Sequence, residues 1–116
     1  MIKGFEEHTK LSKKGEECKE KFLNKIKHNS IDNPVLSKKV EDYFEISGSE
    51  VRQIVLYLRR CGVPIASCSK GYFWAKSPEQ LAPTIHHLEQ RKRSIAYTLD
   101  KMKDANFAKD QMQLFA

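Results

Sequence analysis

The chain has 116 residues, of which 40% are apolar, and its 21 Lys and Arg outnumber its 15 Asp and Glu. This length fits a single domain and leaves little room for a deep catalytic cleft beside a core. The apolar stretches are too short for a transmembrane helix, and residues 1–7 lack the apolar segment of a secretory signal, so we expect a cytoplasmic protein with no membrane partner.

Residues 1–14 are polar and weakly periodic, and we interpret them as a flexible N-terminal arm. Apolar residues at helical spacing then predict a first helix over about residues 16–28. After a loop that contains Pro34, Ser37 is the expected cap of a short second helix. The residues of this second helix that we expect to point inward are Val40, Tyr43 and Phe44.

The third predicted helix has a well-defined start and stop. Ser47 and Glu50 form a capping box, in which each side chain accepts the backbone N–H of the other residue. Gly62 is the expected stop, because helices commonly end on a glycine in the left-handed conformation. The face that we expect to be buried consists of Val51, Ile54, Val55 and Leu58.

Two short segments of strand-forming composition follow, residues 63–67 and 72–75. The turn between them contains Lys70 and Gly71, and the glycine is free to take a positive φ. The two segments therefore predict a β-hairpin with Lys70 near its tip.

The last predicted helix starts at Ser77 and Pro78 and runs to about residue 106, with Pro83 tolerated near its first turn. Apolar residues recur along it every three or four positions, as in a coiled-coil seam that contains Lys92. The first half of the stripe is expected to pack on the chain's own core. Because so long a helix exceeds the radius of a small domain, we expect the rest to form a homodimer. The residues assigned to dimerisation are Leu88, Lys92, Ile95, Leu99 and Met102.

These elements predict a mainly α fold with a small β-hairpin (α+β). The order of short helix, tight turn, helix and hairpin is the winged helix-turn-helix pattern. The chain resembles the DNA-binding domain of the biotin repressor and small phage-encoded winged-helix proteins in residues 35–40, 46–52, 58–65 and 70–73. We assign residues 15–76 to this domain, 77–106 to the long helix and 107–116 to a tail.

The resemblance implies binding to double-stranded DNA, as a transcription regulator or a phage replication or origin-associated factor in the bacterial cytoplasm. Biotin chemistry is not implied, because the chain has no ligase domain. Helical position assigns contacts with bases to Ser49, Arg52, Gln53 and Tyr57. Contacts with phosphates are assigned to Lys38, Lys39 and Lys70.

Two other binding functions remain open. The same fold serves as a protein-interaction adaptor, here for a host or phage protein. Residues 72–74 are all aromatic and could stack on single-stranded bases, although part of this cluster is expected to cover the core.

Motifs for catalysis, a cofactor or a metal are not recognisable in the sequence, and we do not expect an enzyme. We interpret the adjacent His86 and His87 as surface residues. Three cysteines at irregular spacing do not suggest a disulfide framework. Cys61 and Cys68 could approach one another, and an interpretation as small, buried apolar residues explains them as well.

Overall fold

A computed structural model describes residues 10–105 and residue 107. These residues form four α-helices and one antiparallel two-stranded sheet, which confirms the predicted mainly α class with a small hairpin. The chain divides into two compact units, Met1–Thr84 and Ile85–Ala116. The elements are α1 (Lys13–Ile26), α2 (Ser37–Phe44), α3 (Gly48–Arg60), β1 (Ile65–Cys68), β2 (Gly71–Trp74) and α4 (Pro78–Lys103).

Helix α1 begins earlier than the sequence pattern predicts. The hydroxyl of Ser12 caps it by accepting the N–H of Gly15 at 3.0 Å, and Leu11, just before the cap, is buried. The predicted arm, residues 1–14, therefore differs from the structure at residues 11–14, because the cap and Leu11 attach them to the fold. Residues 1–9 of that arm lie outside the described residues.

Helix α2 lacks the side-chain cap that we expected. Its N-cap is Leu36, which makes no capping side-chain bond, and Ser37 is the first helical residue. The prediction that Ser37 caps this helix was wrong, because its hydroxyl donates instead to Glu41 Oε2 at 3.1 Å.

The buried face of α2 is narrower than predicted. Val40 is buried and Phe44 packs against the core, whereas Tyr43 is 71% exposed. Tyr43 sits beside Phe44, with ring centroids 4.8 Å apart in an edge-to-face arrangement. Eight residues present only one inward stripe, so the expectation that Tyr43 points inward was wrong.

The turn between α2 and α3 is three residues long. Glu45 ends α2 in the left-handed conformation, with φ of 55°, and Ile46 is buried beneath the turn. Ser47 then begins α3 through the predicted capping box, in which Ser47 N–H donates to Glu50 Oε1 at 3.0 Å and Glu50 N–H donates to Ser47 Oγ at 3.1 Å.

The end and the buried face of α3 also match their predictions. Gly62 follows the helix with φ of +90°, and its N–H donates to the carbonyl of Arg59 at 3.0 Å. The N–H of Val63 donates to the carbonyl of Leu58 at 3.0 Å, which completes a glycine-based stop of the Schellman type. The predicted inward residues Val51, Ile54, Val55 and Leu58 are all buried.

Strands β1 and β2 form the predicted hairpin, with a two-residue turn at Ser69 and Lys70. The other edge of β2 pairs with Val35, which exchanges two backbone hydrogen bonds of 2.8 Å with Tyr72. This pairing explains Gly71, whose φ is +124°. A Cβ at this position would overlap the carbonyl of Val35 and lie 2.8 Å from the N of Leu36.

The hairpin separates two clusters of buried side chains. The main core lies among α1, α2, α3 and one face of the hairpin, and its largest fully buried residues are Phe22, Ile26, Val40, Val51, Ile54 and Ile65. Ala66, Phe73 and Ala75 form a second cluster, against which Leu81 of α4 packs. The first turns of α4 therefore cover a part of the hairpin that the main core leaves open.

The second unit, in its described part, consists of the rest of α4 and a few residues after it. The described residues of this unit, 85–105 and 107, are all exposed. Across residues 10–105 and 107, the helices lack the combination of length and apolar character that crossing a membrane requires.

Candidate functional site

The outer face of α3 carries a stripe of exposed residues. Ser49, Arg52, Gln53 and Leu56 recur at helical spacing and are all exposed, whereas the opposite face is packed into the main core. Three of the four residues assigned to base contacts therefore lie on one accessible face. We call Ser49, Arg52, Gln53 and Leu56 the α3 stripe.

Tyr57, the fourth residue assigned to base contacts, lies elsewhere. It is only partly exposed and packs against the main core. The ammonium of Lys19 on α1 lies 5.1 Å from its ring centroid. The expectation that Tyr57 lies off the buried face was wrong, because α1 packs along that side of α3.

Glu50 sits in the first turn of α3, where an unpaired carboxylate would repel a polyanion. Its Oε1 accepts the N–H of Ser47, and its Oε2 accepts the hydroxyl of Ser12 at 2.7 Å. These hydrogen bonds, that from the Ser47 backbone above all, lower the pKa of Glu50 below its usual value. One carboxylate thus joins the start of α1 to the start of α3, and the sequence analysis identified only the Ser47 half of this arrangement.

Arg52 reaches back over the N-terminal end of α3. A Cβ placed on Gly48 would lie 3.5 Å from Arg52 Nη1 and 3.4 Å from Glu41 Oε2. The guanidinium and the carboxylate thus both lie close to Gly48. Arg52 remains exposed and is long enough to extend outward from the helix.

The three lysines assigned to phosphates are all exposed. Lys38 and Lys39 lie in the first turn of α2, and Lys70 lies at the hairpin tip. Lys38 forms an ion pair of 3.3 Å with Asp42, one helical turn away, and both side chains are largely in solvent. Such a surface pair contributes little to stability, so a phosphate can replace the carboxylate at small cost.

Side chains from two helices hold the hairpin in place. Arg59 Nε–H donates to the carbonyl of Ile65 at 2.8 Å, and its Nη2 lies 3.5 Å from Ser67 Oγ. The N–H of Ser67 donates to Thr84 Oγ1 at 3.1 Å, and Thr84 is buried. Neither contact is predictable from the sequence, because neither residue belongs to a local motif.

The aromatic residues of β2 are largely used in packing. Phe73 is buried in the second cluster, and Tyr72 and Trp74 are partly exposed and pack against the main core. The cluster therefore does not offer the open row of rings that single-stranded bases stack on.

The dimerisation residues assigned from the sequence are exposed along α4. Leu88, Lys92, Ile95, Leu99 and Met102 all lie in the second unit, and Ile95 and Met102 are 64% and 70% exposed. Leu81, at the start of the same stripe, packs instead against the hairpin. We call the residues Ile85, Leu88, Lys92, Ile95, Leu99 and Met102 the α4 seam.

His86 and His87 are exposed, with ring centroids 6.4 Å apart. Within residues 10–105 and 107, groups of three or more His, Cys, Asp or Glu that could hold a metal ion are absent. Cys61 and Cys68 are exposed free thiols, so the interpretation as buried residues was wrong. Cys61 follows the last turn of α3 and Cys68 precedes the hairpin turn, and both places face solvent.

No protein-family model, no curated protein and no solved structure matches this chain. A function must therefore be inferred from the geometry of the described residues. The first unit combines an exposed helical stripe, exposed lysines on α2 and at the hairpin tip, and a hairpin held on several sides.

Proposed function

We propose that this chain is a sequence-specific duplex-DNA-binding protein of the winged helix-turn-helix type, which acts as a dimer in transcription regulation or in phage replication. The observation that carries this proposal is the α3 stripe, in which the consecutive residues Arg52 and Gln53 are both exposed. The order of α2, a three-residue turn, α3 and a hairpin supports the same class.

The α3 stripe has the size and the chemistry for reading bases in a major groove. Helix α3 has 13 residues and is about 20 Å long, and the groove of B-DNA is wide enough to admit a helix. Arg52 can donate two hydrogen bonds to a guanine, and Gln53 can bond an adenine in the same bidentate way. Each such pair contributes about 1–3 kcal/mol of discrimination against a wrong base.

The lysines on either side of α3 in the sequence supply the contacts that do not depend on base sequence. Lys38 and Lys39 precede the turn and Lys70 lies at the hairpin tip, which corresponds to the wing. Contacts of this kind orient a protein on the duplex, and they release counterions when they form. DNA binding should therefore weaken steeply as salt increases.

The α4 seam supports the dimeric part of the proposal. Apolar side chains spaced at three and four residues remain in solvent over more than two helical turns. A second copy would cover them through the same seam, since two-fold pairs bury the same surface on both subunits. Two copies would then bind a roughly palindromic site.

Selection from a random pool of duplexes tests this proposal. We expect a recovered motif with two-fold symmetry, and a Kd that rises steeply between about 50 and 200 mM salt. Arg52→Ala should lose its preference for the selected motif over random duplex, whereas Lys70→Ala should weaken binding to both about equally.

Lys21→Ala is the matched control, because Lys21 is an exposed lysine of α1 outside the surface assigned here. It should keep both the affinity and the sequence preference of the wild type. Duplex binding that is absent at 50 mM salt, or that Arg52→Ala leaves equally selective, would exclude this function.

Exposed apolar side chains on the first unit favour a second candidate, a protein-interaction adaptor. Ile31, Leu36, Tyr43 and Leu56 are each more than 40% exposed, and Leu56 belongs to the α3 stripe itself. A host or phage protein would cover such side chains, since exposed apolar patches often mark interaction sites. In that case a protein partner, and not a duplex, should protect these four side chains from covalent labelling in solution.

A further inference from the structure

We infer that Arg59 is a positioning residue, which sets where the hairpin tip and Lys70 lie relative to the α3 stripe. This inference rests on the proposed function, because it concerns how a second element reaches the same duplex. Arg59 belongs to the last turn of α3, six residues before the carbonyl to which it donates on β1.

The contacts of Arg59 and Thr84 occupy the outer edge of β1. The carbonyl of Ile65 and the N–H of Ser67 point away from β2, and each meets a side chain instead of another strand. Arg59 Nε donates to the first at 2.8 Å, and Thr84 Oγ1 accepts from the second at 3.1 Å. One of these side chains comes from α3 and the other from α4, so both helices fix this edge.

The remaining sides of the hairpin are fixed by backbone. Val35 pairs with the outer edge of β2, and the N–H of Trp74 donates to the carbonyl of Asn29 at 2.8 Å. Among the hydrogen bonds named here, that of Arg59 comes from the helix that carries the α3 stripe. The guanidinium of Arg59 therefore couples the two surfaces that we assign to DNA.

A small rotation of the hairpin at the Arg59 anchor would move Lys70, at the tip, by a larger distance. Ile65, to which Arg59 Nε donates, lies three residues before the end of β1 at Cys68, which is about 10 Å along the strand, and the turn that contains Lys70 follows directly. A rotation of about 10° at the base would then move the tip by roughly 2 Å, which exceeds the tolerance of a hydrogen bond to a phosphate. Arg59 itself need not touch DNA for its loss to matter.

A double-mutant cycle on duplex binding tests this role. Lys70→Ala removes one phosphate contact from each subunit of the proposed dimer. In the wild type it should therefore reduce the slope of log Kd against log salt by about 2 and weaken binding about 60-fold at 0.1 M salt. In an Arg59→Met background, which keeps the stem and loses the donors, Lys70→Ala should change neither quantity. Equal effects of Lys70→Ala in both backgrounds would overturn the inference.

Lys21→Met is the matched control, because it removes one positive charge from an exposed position on α1, outside the surface assigned to DNA. In that background Lys70→Ala should keep its full effect, and a loss of the effect there would show that charge, not position, is responsible. Thr84→Val is the second variant, which removes only the acceptor for Ser67 and should also reduce the effect of Lys70→Ala. It replaces Arg59→Met if circular dichroism shows that Arg59→Met is unfolded, and a full effect of Lys70→Ala there overturns the inference.

If the wild type binds no duplex at 50 mM salt, the proposed function is wrong, and this result is independent of the role of Arg59. Arg59 is then tested without DNA, by amide hydrogen exchange at Ser67 to Gly71. Exchange there should be at least tenfold faster in Arg59→Met than in Lys21→Met, and equal rates would overturn the inference.

Discussion

At the scale of single residues, Glu50 shows how an acidic side chain is accommodated at the start of α3. Its two oxygens accept hydrogen bonds from the Ser47 backbone and from the Ser12 hydroxyl. The negative charge also lies in the first turn of the helix, where the helix dipole stabilises it. Glu50 therefore stabilises the packing of α1 on α3, and its charge is largely engaged within the protein.

The lowered pKa of Glu50 predicts a loss of stability in acid. Because the folded pKa lies below the usual 4.5, the ionised carboxylate stabilises the fold fully above that pH. This contribution should disappear as the pH falls through the folded pKa. Urea denaturation of wild type and Glu50→Gln should thus show a constant difference from pH 7 to about pH 5, which shrinks below pH 4.5. Ser12→Ala should reduce the difference, and a difference independent of pH would contradict this account.

Substitution by alanine should lower the free energy of unfolding by different amounts at Gly71 and at Gly62. Both have positive φ, but a Cβ on Gly62 would meet nothing within 4 Å, whereas one on Gly71 would overlap the backbone at Val35. We expect Gly62→Ala to lower the free energy of unfolding by about 1 kcal/mol, the cost of the left-handed conformation alone. Gly71→Ala should cost about 2 kcal/mol more, since Val35 must move and its pairing with β2 is lost. Equal losses in urea denaturation would show that the contact with Val35 is unimportant.

At the scale of elements, α4 continues through a residue that usually breaks helices. Pro78 occupies the first helical position, where its missing N–H has no intrahelical partner to lose. Pro83 lies inside the helix, where it leaves the carbonyl of Glu79 without its usual donor. Packing of Leu81 and burial of Thr84 hold this part of α4 against the hairpin and offset that cost.

Substitution by alanine should therefore have different effects on stability at the two prolines. Pro83→Ala should raise the free energy of unfolding by about 1–3 kcal/mol, because it restores a helical hydrogen bond at an exposed position. Pro78→Ala should change it by less than about 0.5 kcal/mol. Thermal denaturation followed by circular dichroism measures both. A destabilised Pro83→Ala would mean that the proline is required for the path of the helix.

At the scale of the whole molecule, the described residues present two units of different character. The first unit has a core with fully buried side chains from three helices and a hairpin. The described part of the second unit is mostly helical and exposed, and most of its large apolar residues belong to the α4 seam. An apolar stripe in water is costly, which is the physical reason for proposing a dimer.

The α4 seam predicts that a single charge prevents dimerisation. Leu99→Asp places a carboxylate within the seam, where it would be buried without a partner, and the protein should become a monomer in light scattering. Ser94→Asp is the matched control, because Ser94 is an exposed residue of α4 that is not a seam position, and its mass should equal that of the wild type. An unchanged mass in Leu99→Asp would remove the seam from the proposal. Monomers should also bind a palindromic site more weakly, because the second half-site no longer contributes.

The sequence alone was sufficient wherever neighbouring residues decide the outcome. The capping box of Ser47 and Glu50, the stop at Gly62 and the buried face of α3 were all predicted, because each depends on residues within one or two helical turns. The α3 stripe followed from the same periodicity, since residues opposite a buried face are exposed. Local patterns therefore predicted the helices, the hairpin and the exposure of three of the four residues assigned to bases.

The tertiary structure decided what depends on residues that are distant in the chain. Tyr57, which we expected to be exposed, packs against the core because α1 covers that side of α3. Tyr43, which we expected to point inward, is exposed because only one narrow stripe of α2 faces the core. The bond from Ser12 to Glu50 spans 38 positions, and that from Ser67 to Thr84 spans 17. Helical periodicity says which face of an element is apolar, but only the packing of the elements against each other decides which neighbour covers it.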